Sequence, residues 1–111
     1  MSLKYLMIAP LIVPKLKKGL KSPTMKNFCF SWNRDTSEQN VEFTDENGTH
    51  QNTGNISITE IMNDSVGNRL VDILDNVYQG WNTIYGVIDI EHKKITLIFK
   101  QNERTIGIRT Y

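Results

Sequence analysis

The residues of this 111-residue chain that could carry chemistry are few. Between positions 92 and 111, His92, Lys93, Lys100, Arg104, Arg109 and Tyr111 offer a base, an acid and several cations. That set has the composition needed for metal-independent RNA cleavage. A base takes the proton of the 2′-hydroxyl, an acid protonates the leaving oxygen, and cations stabilise the charge on phosphorus. The spacing is less favourable, because His92 and Lys93 fall in an expected turn and Lys100 at an expected strand end. Cys29 with His50 or His92 has only the composition of a nucleophile–base pair, and no serine sits in a nucleophile-elbow context.

Other site chemistries fail on spacing. Gly48, Gly54 and Gly67 are isolated, so there is no glycine-rich phosphate loop. One cysteine and two distant histidines do not make a zinc set. Asp45, Asn47 and Thr49 alternate as in a calcium loop. The match then breaks, with His50 where glycine is required and Ile56 where the bidentate glutamate belongs. No cofactor and no metal are expected, and a binding role is expected ahead of an enzymatic one.

The elements that would position these residues follow from hydrophobic period. Ile58, Ile61, Met62, Val66, Leu70, Ile73, Leu74, Val77 and Trp81 recur at spacings of three and four, which predicts one long helix over about 57–80. Ser57 and Glu60 match a capping box, and Gly80 supplies the stop. Asn63, Asp64, Ser65 and Gly67 are poor interior residues, so any break is expected near them, as a kink. After Trp81 the sequence alternates three times, with Ile88, Ile90, Leu97, Phe99 and Ile106 on the side expected to meet the helix. Turns at Glu91–Lys94 and Gln101–Glu103 make this an antiparallel meander. Tyr85, Val87 and Ile98 on its second side imply cover, by N-terminal strands or by another chain.

Upstream, Phe28, Phe30 and Trp32 alternate in a strand that pairs with Val41 and Phe43. These aromatics read as core, not as a stacking platform for bases. Cys29 in the same run reads as a buried, inert thiol. The apolar run Leu3–Val13, kinked or ended by Pro10 and Pro14, is expected to be a buried strand. Lys4 before it suggests a signal peptide, but prolines interrupt the run and lysines stand where a cleavage site would lie. Residues 14–27 read as a basic connector and residues 44–56 as a polar loop. The whole is expected to be a single α+β domain. It has five to six strands in the order β-β-β-α-β-β-β, mainly antiparallel and packed by the one long helix.

A composition of 39% apolar and 23% charged residues is that of an ordinary folded protein. The net charge of +1 hides segregation. Residues 1–34 carry +7 with no acid, residues 35–91 carry −10, and residues 92–111 carry +4. The leading expectation is a small non-enzymatic protein-binding domain, such as an inhibitor, a toxin-immunity protein or a phage-encoded antagonist. It would act through an acidic face bearing Asp64, Asp72 and Asp75. The alternative is a nucleic-acid-binding module using Lys15, Lys17, Lys18, Lys21, Lys93 and Lys94. Third comes a small ribonuclease, since a helix followed by an antiparallel meander resembles, in layout alone, several small ribonuclease toxins. A homodimer through the mixed side of the meander is a further possibility. A single cysteine fits a reducing compartment, so a cytoplasmic location is expected, with no membrane partner.

Overall fold

Alternating runs become strands here, and in all but the last of them the apolar residues at alternate positions are buried. In a computed structural model describing residues 2–19, 25–45, 47–52 and 56–111, the chain forms three helices and six strands among those residues. In order they are α1 (Leu3–Gly19), β1 (Met25–Asn33), β2 (Gln39–Asp45), β3 (His50–Asn52), α2 (Ile58–Asn63), α3 (Ser65–Val77), β4 (Thr83–Asp89), β5 (Lys94–Gln101) and β6 (Arg104–Thr110). The strands form one sheet in the order β3-β2-β1-β4-β5-β6, with every neighbouring pair antiparallel. The α+β class, the single domain and the meander are as expected. A radius of gyration of 13.2 Å is that of one compact unit of this length.

The first element differs from the expectation. Leu3–Gly19 is a helix and not a buried strand. Tyr5, Ile8, Ala9, Ile12 and Leu16 are buried at helical spacing, and no alternation exists to support a strand. Pro10 and Pro14 lie within it, each removing a bond to the carbonyl four residues back. Both prolines are exposed, so the burial of the opposite stripe outweighs their local cost. The stretch expected as a connector, 14–27, holds the end of α1 and the start of β1, with 20–24 outside the described residues. The sixth strand comes instead from the stretch read as a polar loop. There His50–Asn52 pairs with Glu42–Thr44 of β2.

The long helix is also divided. Asp64 ends α2 and caps α3 with its backbone extended, and its side chain accepts a bond from the Gly67 N–H at 2.6 Å. Gly67 is required by contact: a Cβ there would stand 1.8 Å from the Ile61 carbonyl oxygen. The apolar stripe nevertheless keeps its role, with Ile58, Met62, Leu70, Leu74 and Trp81 all buried. α3 stops at Val77, and Gly80 takes a positive φ of 85° in the turn that follows.

One side of the sheet receives all of this. Phe28, Phe30, Trp32, Val41, Phe43, Ile84, Ile88, Ile95, Leu97 and Phe99 face α1 and α3 in one continuous core. Ile8 and Ile12 of α1 meet Leu70 and Leu74 of α3 over Ile88 and Leu97. Gly86 belongs to this packing, since a Cβ there would lie 2.2 Å from the Phe30 ring. No helix lies on the opposite side among the described residues.

Candidate functional site

The uncovered side of the sheet is built by the same alternation that builds the core. Residues between the core positions point the other way, and the antiparallel register aligns them in rows. One row runs Asn40, Ser31, Tyr85, Ile98, Ile108 across β2, β1, β4, β5 and β6. The next runs Glu42, Cys29, Val87, Thr96, Thr110. Tyr85, Val87 and Ile108 are 40, 42 and 56% exposed, so three large apolar side chains stand in water beside the half-buried Ile98. Together they form a contiguous apolar patch on an otherwise polar face.

Ile108 reaches this side because of a register shift between Phe99 and Lys100. Gly107 pairs with Phe99 and Thr105 with Lys100, leaving Ile106 as the extra residue of a bulge. Ile106 packs against the core while Ile108 faces outward. At one end the face deepens into a concavity of about 460 Å³ lined by Ser31, Asn33, Glu38, Thr83, Tyr85, Lys100 and Glu103. There the Lys100 ammonium sits 4.4 Å from the centre of the Tyr85 ring, which holds both side chains in place.

Cys29 lies on this face and not in the core, a correction to the buried reading. Alternation with Phe28 and Phe30 necessarily turns it outward. Partial burial and the Glu42 carboxylate opposite both push its thiol pKa up, so it is kept protonated and is not primed as a nucleophile.

The expected acidic residues lie along α3 and its cap, and two of the three are paired within the chain. Asp64 forms an ion pair with Lys15, which together with the Gly67 N–H holds its carboxyl below the ordinary range. Asp75 accepts from both terminal nitrogens of Arg34, at 2.8 and 3.4 Å. Asp72 is exposed on the outer side of α3. Two of the three carboxylates therefore join the acidic middle of the chain to its basic start.

The lysines of the alternative reading are not gathered either. Lys17 and Lys18 are in the last turn of α1, whereas Lys93 and Lys94 follow Asp89, whose charge is felt by Tyr5 in the first turns. The two pairs thus lie toward opposite ends of a helix about 25 Å long. Lys15 is committed to Asp64, and Lys21 lies outside the described residues.

The ribonuclease set is spread as well. His92 sits in the exposed β4–β5 turn, its Nδ1 2.8 Å from an Asp89 oxygen. Lys100 is six residues along β5, roughly 20 Å away along the strand. Arg109 lies on the helix side, 4.8 Å from the Tyr78 ring centre. Among the described residues, no three His, Cys, Asp or Glu side chains are placed to hold a metal ion, and no helix is long and apolar enough to cross a membrane. Comparison with family models, curated proteins and solved structures gives no match for this chain.

Proposed function

We propose that this chain is a small non-enzymatic protein-binding domain, of the inhibitor, immunity-protein or antagonist kind, that takes its partner on the open side of the sheet. The observation that supports this is the one-sided architecture, which leaves Tyr85, Val87, Ile98 and Ile108 side by side with no covering layer among the described residues. The face measures roughly 25 Å by 20 Å. That is the larger part of the ~800 Å² that a standard interface takes from one partner. Its centre is apolar and its ends carry Glu38, Lys94, Lys100 and Glu103, the usual division into a dry core and a charged rim. The acidic residues Asp64 and Asp75 are engaged within the chain, so the reading shifts from the outer side of α3 to the sheet. A reducing, cytoplasmic setting belongs to the same proposal and fits a single exposed thiol.

The test is affinity capture from the native host, followed by titration of the purified partner against three forms of the chain. Val87→Lys with Ile108→Lys should weaken binding at least tenfold with unchanged thermal unfolding. Asp72→Lys should leave binding intact. Loss of binding in Asp72→Lys alone would return the site to α3 and overturn the sheet-face reading.

A further inference from the structure

The outward side of α1 is a second surface without an explanation in the fold. At 3.6 residues per turn, Leu3, Leu6, Met7, Pro10, Pro14, Lys17 and Lys18 share about one third of the helix circumference, and all seven are exposed. Leu3, Leu6 and Met7 are 80, 52 and 48% exposed. From Leu3 to Pro14, about three turns, this ridge therefore presents no polar side chain, and the turn that follows presents two lysines. Lys4 and Lys15 border it, and α1 contains no acidic residue.

We infer that this ridge is a contact surface for an anionic lipid bilayer, with α1 lying in the plane of the headgroups. Three features select this occupant. First, the side chains of the ridge ask for no hydrogen bonds over about three turns, and the Leu6 and Pro10 carbonyls that the two prolines leave open can be met by water at headgroup depth. A protein interface normally supplies one such bond for every 100–200 Å² or so, while the acyl layer supplies none. Second, the ridge is the convex outer side of a helix, and Leu3, Leu6 and Met7 do not line the concavity described above. A yielding medium accommodates such projections without a matching groove. Third, the charges on α1 itself are all cationic, and although Lys15 is paired with Asp64, Lys17 and Lys18 are exposed, which suits phosphatidylserine headgroups.

A second copy is the poorer fit. One helix face about 25 Å by 10 Å supplies far less than the ~800 Å² per partner of a stable dimer. An antiparallel pairing of two such ridges would also set Lys17 and Lys18 against Lys4 of the other copy. This inference concerns a different surface from the proposed partner site, and either can fail alone.

The experiment is co-sedimentation of the full chain with phosphatidylcholine vesicles, with and without about 30% phosphatidylserine. Binding is expected to the anionic vesicles, at least tenfold above that to phosphatidylcholine alone, and weakened by added salt. Leu6→Glu with Met7→Glu should reduce it at least tenfold, and Lys17→Glu with Lys18→Glu should remove the preference for phosphatidylserine. All four positions are exposed, so circular dichroism should report the native fold in both variants. No retention on anionic vesicles at low salt would overturn the inference. So would retention unaffected by the Leu6 and Met7 substitutions, or a concentration-dependent dimer that those substitutions dissolve.

Discussion

Asp64 serves three neighbouring structures at once. Its extended backbone ends α2, its carboxylate caps α3 at Gly67, and the same carboxylate pairs with Lys15 of α1. Its partners favour the charged form, the Lys15 hydrogen bond most of all, and depress its pKa below the ordinary 3.8. Asp89 is depressed likewise, first by the His92 backbone N–H and further by the His92 ring. A carboxylate held below its unfolded value adds stability that is complete above that value and is lost as the pH falls through the folded one. Both residues therefore act in the same direction, and stability should drop as the pH is taken from 5 or so to below 3.8. Asn caps a helix as well as Asp does but cannot pair with Lys15 as an anion. Asp64→Asn is therefore expected to lower the urea midpoint at neutral pH and to narrow the gap between midpoints at neutral pH and pH 3. Asp64→Ala, which also loses the cap, should be less stable than Asp64→Asn. A gap as wide in Asp64→Asn as in the parent would remove Asp64 from the acid response.

At the scale of elements, α1 shows where local preference and packing conflict. Pro10 and Pro14 cost two backbone bonds, yet the helix continues through both because five side chains are buried on its other side. Pro10→Ala should restore the bond to the Leu6 carbonyl. Part of that gain is offset by the greater freedom of the unfolded chain, leaving a net stabilisation of about 1–2 kcal/mol. Chemical denaturation measures it directly, and a neutral or negative result would mean that α1 is shaped around the proline. The same conflict explains why α1 was not legible in the sequence. Its apolar residues occupy nearly every position, so they carry no phase, and the prolines read as strand ends. α3 and the meander were legible because each has one clean period. β3 was hidden because His50–Asn52 is three polar residues whose extended form is set by pairing with β2. The open face was half legible. Tyr85, Val87 and Ile98 announced it by alternation, but the bulge that turns Ile108 outward cannot be read from the period of β6. Cys29 was misassigned because its aromatic neighbours were counted and its own parity was not.

At the scale of the molecule, the sheet is two antiparallel units joined along one seam. β1, β2 and β3 form the first unit and β4, β5 and β6 the second, and only the β1–β4 ladder links them within the sheet. That seam runs from Asn27↔Asp89 to Asn33↔Thr83, between segments 50 to 62 residues apart in sequence. α1 and α3 lie across it, packing on Phe30 from the first unit and on Ile88, Ile95 and Leu97 from the second. Ion pairs repeat the join: Lys15 to Asp64 ties α1 to the α2–α3 junction, and Arg34 to Asp75 ties the β1–β2 turn to α3. Neither unit buries its apolar side without the shared helices, so the two should unfold together. Native-state hydrogen exchange tests this. The central amides of β1, β4 and β5 should exchange only through global unfolding, with the free energy found by denaturant titration. The edge strands β3 and β6 should exchange at lower free energies, because each has a partner on one side only. If β4, β5 and β6 instead opened together well below the global value while β1 and β2 stayed protected, the meander would be a separate cooperative unit. The seam would then be a docking contact within the chain and not the centre of its core.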